Sequence, residues 1–146
     1  MREYKGFTLI EVLVVLAIMT LLAGLAFASY QHAVVKSKRA EGRAALMKLM
    51  QQQERYYSVH TTYRVFSSRS QEQDAYVMKW FSGASSPTSA YEISAQPCDE
   101  DGARHCIHLI ARPGTERVDA SYRDPRCGTM SLNSRGEKTA DADGCW

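Results

Sequence analysis

The chain has 146 residues, 45% of them hydrophobic and 23% charged, with a formal net charge of +2. That length suits one domain, and a charge so near neutral excludes a protein that holds an acidic partner by bulk electrostatics alone. The four cysteines, Cys98, Cys106, Cys127 and Cys145, all lie in the C-terminal third behind an apolar N-terminal run, which argues for disulfides in an exported domain over metal or catalytic thiols.

Phe7 to Ala28 is almost all apolar and carries one charge, Glu11. As a helix this run reaches about 33 Å, close to the hydrocarbon thickness of a bilayer. Arg2 and Lys5 precede it with Glu3 between them, and Lys36, Lys38 and Arg39 follow. The short positive leader is expected to stay in the cytoplasm and send the rest outward. A carboxylate at the centre of a membrane helix costs about 2.5–3.5 kcal/mol on insertion scales, so Glu11 needs a reason. A secretory signal peptide with its site at Ala26, Phe27 and Ala28 accounts neither for the length of the run nor for Glu11. A plain single-span anchor leaves Glu11 unexplained as well.

The stretch KGFTLIEVLVVLAI resembles the N-terminus of the type IV pilin superfamily. The resemblance implies a prepilin leader at residues 1–6, cut after Gly6 by a prepilin peptidase, and N-methylation of the new terminus at Phe7. It puts Glu11 at the family's acidic position, fifth in the mature chain. It implies a hydrophobic transmembrane and assembly helix over residues 7–28 and a globular head over residues 29–146. Cleavage creates an ammonium on Phe7, and Glu11 lies about one helical turn away. A buried carboxylate persists only when paired. The implied partner is the subunit's own amine or that of a neighbouring subunit in a helical fibre. Two positions depart from the common pattern. Many members carry a proline at the place of Ala28 and a glycine at the place of Thr20, whereas this chain has Gly24 instead.

No proline occurs before Pro87, so the helix is expected to continue to about Ser58, roughly 78 Å in all. Beyond Ser29 it turns amphipathic. Leu46, Leu49, Met50 and Gln53 follow helical spacing, with Val35 and Ala45 near the same stripe. Lys36, Lys38, Arg39, Arg43, Lys48 and Arg55 are assigned to the other surface, with Glu41 set to pair three or four residues away. QQQERYYSVHTTY ends the helix and resembles the corresponding turn of PilE-type minor pilins. Tyr56, Tyr57 and Tyr63 are expected to pack under a sheet. Ser67 to Ser89 reads as a long loop with a short helix around Ala75–Phe81.

Strand signals follow. Tyr91–Ala95 alternates, and Ile107–Ala111 does so more weakly, with a turn at Asp101 and Gly102 between them. Met130–Leu132 is a third candidate, Asn133–Gly136 a turn, and Glu137–Thr139 a fourth. A four-stranded antiparallel sheet of this size needs the amphipathic helix to cover one face. The expected class is therefore α+β, which the resemblance sharpens to the type IV pilin fold.

Four cysteines allow three pairings. Cys98–Cys106 would staple the first hairpin. CGTMSLNSRGEKTADADGCW resembles the C-terminal end of PilE-type pilins, which implies a Cys127–Cys145 loop. Such a loop is worth roughly 3 kcal/mol by chain-entropy reasoning. Cys98, Cys106, His105 and His108 lack the tight paired spacings of a zinc site. Asp99, Asp101, Asp141 and Asp143 do not complete a calcium loop. No nucleophile motif, phosphate loop or zinc-protease signature is present, and His32 and His60 have no evident partners. No catalytic residue, metal or cofactor is therefore expected.

The resemblance implies a minor pilin subunit of a bacterial type IV pilus. Its implied partners are other pilin subunits, the prepilin peptidase and methyltransferase, and the inner-membrane assembly platform, with DNA or a host surface as further candidates. The implied location is the inner membrane, head in the periplasm, and then the extracellular fibre. Implied roles are assembly, twitching motility, adhesion and DNA uptake. Two alternatives stand beside it: a pseudopilin of type II secretion, and a DNA-binding competence pilin, whose mark would be a basic patch on the exposed head.

Overall fold

The computed structural model describes residues 6–69, 78–100 and 102–146. The chain divides into two units between Lys36 and Ser37. One helix, α1 (Leu9–His60), runs from the first into the second, near the expected bounds. It passes through Thr20, Gly24 and Ala28 without interruption. Thr20 Oγ1 donates to the Ala17 carbonyl at 2.9 Å, which satisfies that hydroxyl inside an apolar stretch.

In the apolar window of the first unit the described side chains are largely exposed. Leu9, Ile10, Leu21 and Leu22 are each more than half exposed. The apolar window of α1 has a mean hydropathy of 2.6, and none of it is buried within the structure. By length and composition it can cross a membrane.

The second unit is the head. Gly42, Leu46, Leu49 and Gln53 form the buried stripe of α1, while Val35, Ala45 and Met50 are only half-buried. Four strands follow: β1 (Tyr91–Pro97), β2 (Ile107–Pro113), β3 (Met130–Asn133) and β4 (Lys138–Thr139). They form one antiparallel sheet in sequence order. Alternation sends Tyr91, Ile93, Ala95, Ile107, Leu109 and Ala111 to a buried face, and the register aligns Ile93 with Ala111 and Ala95 with Leu109. Each such aliphatic side chain contributes about 1.5–3 kcal/mol when fully buried. Helix and sheet meet at Gly42, where a Cβ would lie 2.8 Å from the Tyr91 ring and 3.1 Å from Met130 Cε.

The β3–β4 turn follows the expected residues. Gly136 N donates to Asn133 O at 3.0 Å with Gly136 at φ +84°, and Asn133 N returns to Glu137 O at 3.1 Å. This is a three-residue hairpin closed by a left-handed glycine. The turn at Asp101 lies partly outside the described residues. Gly102, its second residue, has φ +82°.

The expected short helix near Ala75–Phe81 is corrected in part. Residues 75–77 lie outside the described residues, and Met78–Phe81 are not helical. The outer edge of β1 holds them instead. Trp80 O accepts from Ile93 N at 2.6 Å, and Phe81 forms a bridge to Glu92. Phe66 makes a second bridge, to Ala95. A backbone partner at a sheet edge outweighs weak local helix preference.

A second correction concerns charge. Arg39 and Arg43 leave the basic surface assigned to them. Arg39 Nε and Nη2 donate to the two Asp124 oxygens at 2.8 and 2.7 Å. The Asp124 side chain is fully buried. It also accepts from the Tyr91 hydroxyl at 2.7 Å and from Cys127 N at 3.1 Å. A buried ion pair is stable only with its remaining lone pairs satisfied, as here. Lys38 and Glu41 pair at 3.5 Å, at the expected three-residue spacing.

Candidate functional site

Two places carry the residues singled out by sequence. The first is the start of α1. Phe7 is 84% exposed, and nothing lies within 4 Å of the position a Gly6 Cβ would take. Thr8 is the residue before the helix and Glu11 is its third residue. Glu11 N donates to Thr8 Oγ1, and Glu11 Oε2 accepts from both Thr8 N and Thr8 Oγ1, all at 3.4 Å. This is a reciprocal capping box that satisfies two orphan donors of the helix start. The carboxylate also lies at the positive end of the helix dipole. Thr-x-x-Glu at residues 8–11 is the sequence signature of this cap, so Glu11 has a local partner beside the ionic one expected for it. The capping atoms all belong to Thr8 and Glu11, so a cut between Gly6 and Phe7 leaves them in place.

The second place is the far end of α1 in the head. The helix stops at His60, and Thr61 adopts φ +53°. A β-branched residue in that conformation is strained, and glycine is usual at this position. Two sets of hydrogen bonds over-determine the turn. Gln53 Nε2 donates to Arg64 O at 2.7 Å, and its Oε1 accepts from Arg64 N at 2.9 Å. Tyr63 N donates to Ala103 O at 2.8 Å, and Thr62 Oγ1 reaches the same carbonyl at 3.3 Å. The turn thereby brings the end of α1 against the β1–β2 connection.

Four rings gather there. Tyr56 stacks on His60 with centroids 4.0 Å apart, and Tyr57 on Tyr63 at 4.5 Å. The Arg64 guanidinium lies 5.9 Å from the Tyr56 centroid. Arg104 and His105 extend from the connection, both exposed. Of the nearby acids, Glu54 accepts the Tyr63 hydroxyl at 3.0 Å and Asp99 pairs with Arg135 at 3.2 Å. Glu100 is exposed. Burial pushes the Tyr63 hydroxyl up, and its bond to Glu54 pushes the same way, so the phenol stays protonated. The three tyrosines, expected to pack under the sheet, are half-buried about the end of the helix. Only after Thr61 turns the chain does Tyr63 meet Tyr57, and residue spacing alone does not show that.

The cysteines are joined as Cys98–Cys106 and Cys127–Cys145, with Cα atoms 5.4 and 5.7 Å apart. His32, His60 and His105 are exposed and His108 is half-buried in β2. Asp141 accepts from Thr129 N at 3.2 Å, and Asp101 lies outside the described residues. No cluster of three metal-ligating side chains occurs among the described residues.

Residues 28–131 match the family described as type IV minor pilin ComP, DNA uptake sequence receptor. Residues 1–27 match the prokaryotic N-terminal methylation motif. Among solved structures, a type IV pilin from Shewanella oneidensis is 26% identical, with a TM-score of 0.47, over 77% of this chain and 97% of that one. No curated protein matches the chain.

Proposed function

Because the chain belongs to the type IV minor pilin ComP family, we propose that it is a fibre subunit whose apolar helix assembles and whose head captures DNA. Before assembly the apolar helix anchors the subunit in a membrane. In our reading that membrane is the inner one, crossed once, with the head in the periplasm until the fibre carries it outside.

Processing removes residues 1–6 after Gly6 and leaves methyl-Phe7 as the terminus. The leader contains Arg2, Glu3 and Lys5, so the net charge falls from +2 to +1. The exposure of Phe7 and the open space about Gly6 support peptidase access. Intact mass of the membrane-extracted protein tests this. A mature chain starting at Ser29 would restore the signal-peptide reading.

Glu11 neutralises an incoming ammonium as the subunit leaves the lipid for the fibre. Its carboxylate bonds only within its own turn among the described residues, so an amine has access to it. Glu11→Ala should leave insertion as good or better, since the costly carboxylate is gone. Processing should proceed, while the share of subunit in sheared pili against membrane falls. Wild-type incorporation would show that Glu11 serves the helix cap alone.

The observation that carries the DNA reading is the stacked aromatic and basic end of α1. The stacked rings fix the turn that carries the arginines, and arginines offer phosphate contacts. Arg64→Ala and Arg104→Ala in the full chain should each weaken duplex binding. Each should also lower the salt slope by about one. Anisotropy titrations at several salt concentrations measure both. Unchanged affinity and slope in both variants would remove this face from the reading.

A further inference from the structure

Arg39 and Arg43 stand one helical turn apart on α1, and each reaches one half of the same disulfide. Arg39 holds Asp124, whose Oδ1 accepts from Cys127 N at 3.1 Å. Gly128 N donates to the Asp124 carbonyl at 3.0 Å, so the backbone on both sides of Cys127 is tied to Asp124. Arg43 Nη1 donates directly to the Cys145 carbonyl at 3.2 Å. Both cysteines are buried. Two side chains four residues apart on a helix lie on one face. The helix therefore presents a pair of cationic donors at the spacing of the two chain segments that the bridge must join.

We propose that Arg39 and Arg43 are positioning residues for disulfide formation: α1 docks the Cys127 and Cys145 segments side by side before their sulfurs join, and so selects this pairing. The need is real, because four thiols can close in three ways. Cys98 and Cys106 are eight residues apart and flank one connection, so they find each other locally. Cys127 and Cys145 are 18 apart, and β3 and β4 lie between them. Cys106 and Cys127 are both fully buried in the head, so a crossed bridge is a competitor during collapse. The arginines act on backbone groups beside the sulfurs, not on the sulfurs. Their effect is thus to raise the local concentration of one thiol about the other. In the closing step the two thiols give two electrons and two protons to a disulfide oxidant. That oxidant leaves as two thiols.

The test uses the reduced full chain in detergent, oxidised in a glutathione buffer. Free thiols are trapped by alkylation and the bridges are mapped by non-reducing peptide analysis. Cys98–Cys106 serves as the internal reference for Arg43→Met, since among the described residues the Arg43 guanidinium bonds to Cys145 O and not to the Cys98–Cys106 connection. In Arg43→Met the closure of Cys127–Cys145 should slow by at least about tenfold, the scale of one lost hydrogen bond to a charged group. Crossed bridges should appear while the reference rate is unchanged, and Arg43→Lys should restore part of the rate. Arg39→Met is harsher, because it leaves Asp124 buried without its counter-charge. Arg43→Met keeps that joint and reads the effect in a folded head, checked by near-ultraviolet circular dichroism. Equal slowing of both bridges would reduce the arginines to general stabilisers. Unchanged closure of Cys127–Cys145 in Arg43→Met would overturn the proposal outright.

Discussion

The two parts of α1 share one backbone and differ in what surrounds their side chains. From Leu9 to Phe27 the helix is mostly apolar, and its described side chains are exposed. Val12, Leu16 and Ile18 are each about half exposed despite their character. From Ser37 to His60 the sequence is far more polar, yet Leu46 is fully buried and Leu49 nearly so. Hydrophobicity alone thus misleads about where the folded core lies. The greasier half is made for a solvent other than water, lipid first and then neighbouring helices. The polar half supplies the core. One helix serves two environments because its stabilisation is local, set turn by turn by what each face meets.

The sharpest way to break this contrast is at the joint between the polar half and the head. Asp124→Asn leaves Arg39 half-paired in a buried place, and removing one partner of a buried pair costs about 3–5 kcal/mol. The expected outcome is a large fall in the unfolding midpoint of the head, with the helix signal of the apolar part kept. The pH dependence follows. Burial raises the Asp124 carboxyl, and the bonds from Arg39, Tyr91 and Cys127 outweigh it, holding the group at about 2. Its unfolded value is about 3.9. The folded value is depressed, so its contribution is full above about pH 4 and fades as pH falls through about 2. Acid titration of stability should show this loss in wild type and a flatter profile in Asp124→Asn.

A smaller effect separates two leucines. Leu46→Ala empties a fully buried position and should cost about 2–5 kcal/mol. Leu22→Ala, in the bare half, should leave the head's unfolding midpoint unchanged. Denaturant melts of both variants in detergent measure the difference. Equal losses would mean that Leu22 stabilises the head as much as Leu46 does.

The smallest contrast lies between two glycines. A Cβ at Gly42 meets a Tyr91 ring that is itself held by Asp124, so Gly42→Ala cannot be relieved by a simple side-chain shift. Overpacking costs about 1–3 kcal/mol, of which the better helix propensity returns about 1. Gly24→Ala meets nothing within 4 Å and should gain helix propensity alone. Opposite signs for these two substitutions are expected.

Much of the architecture was legible in the sequence because its signals are local. The absence of proline, the alternation at Tyr91–Ala95 and the turn at Asn133–Gly136 each concern a few neighbouring residues. What was not legible depends on distant partners. Arg39 reads as a surface cation until Asp124, 85 residues later, folds beside it. Gly42 reads as a weak helix residue until the Tyr91 ring fills its space. Met78–Phe81 lose any helical tendency to the β1 edge. The start of α1 was half legible: Glu11 stands out as a lone charge in an apolar run, whereas Thr8 shows its capping role only once the helix start is fixed. The aromatic end needed the Thr61 turn, and a strained β-branched residue gives no sequence signal.

The two single-residue bridges on β1 bear on how such heads behave in a crowd. An open strand edge invites another chain to extend the sheet, and repeated extension leads to cross-β aggregates. Phe66 and Phe81 occupy that edge at both ends with backbone from the same chain. At the opposite side β4 is two residues long and carries Lys138, too short and too charged to serve as a template. Both edges of the sheet are thereby poor templates for strand addition by another chain.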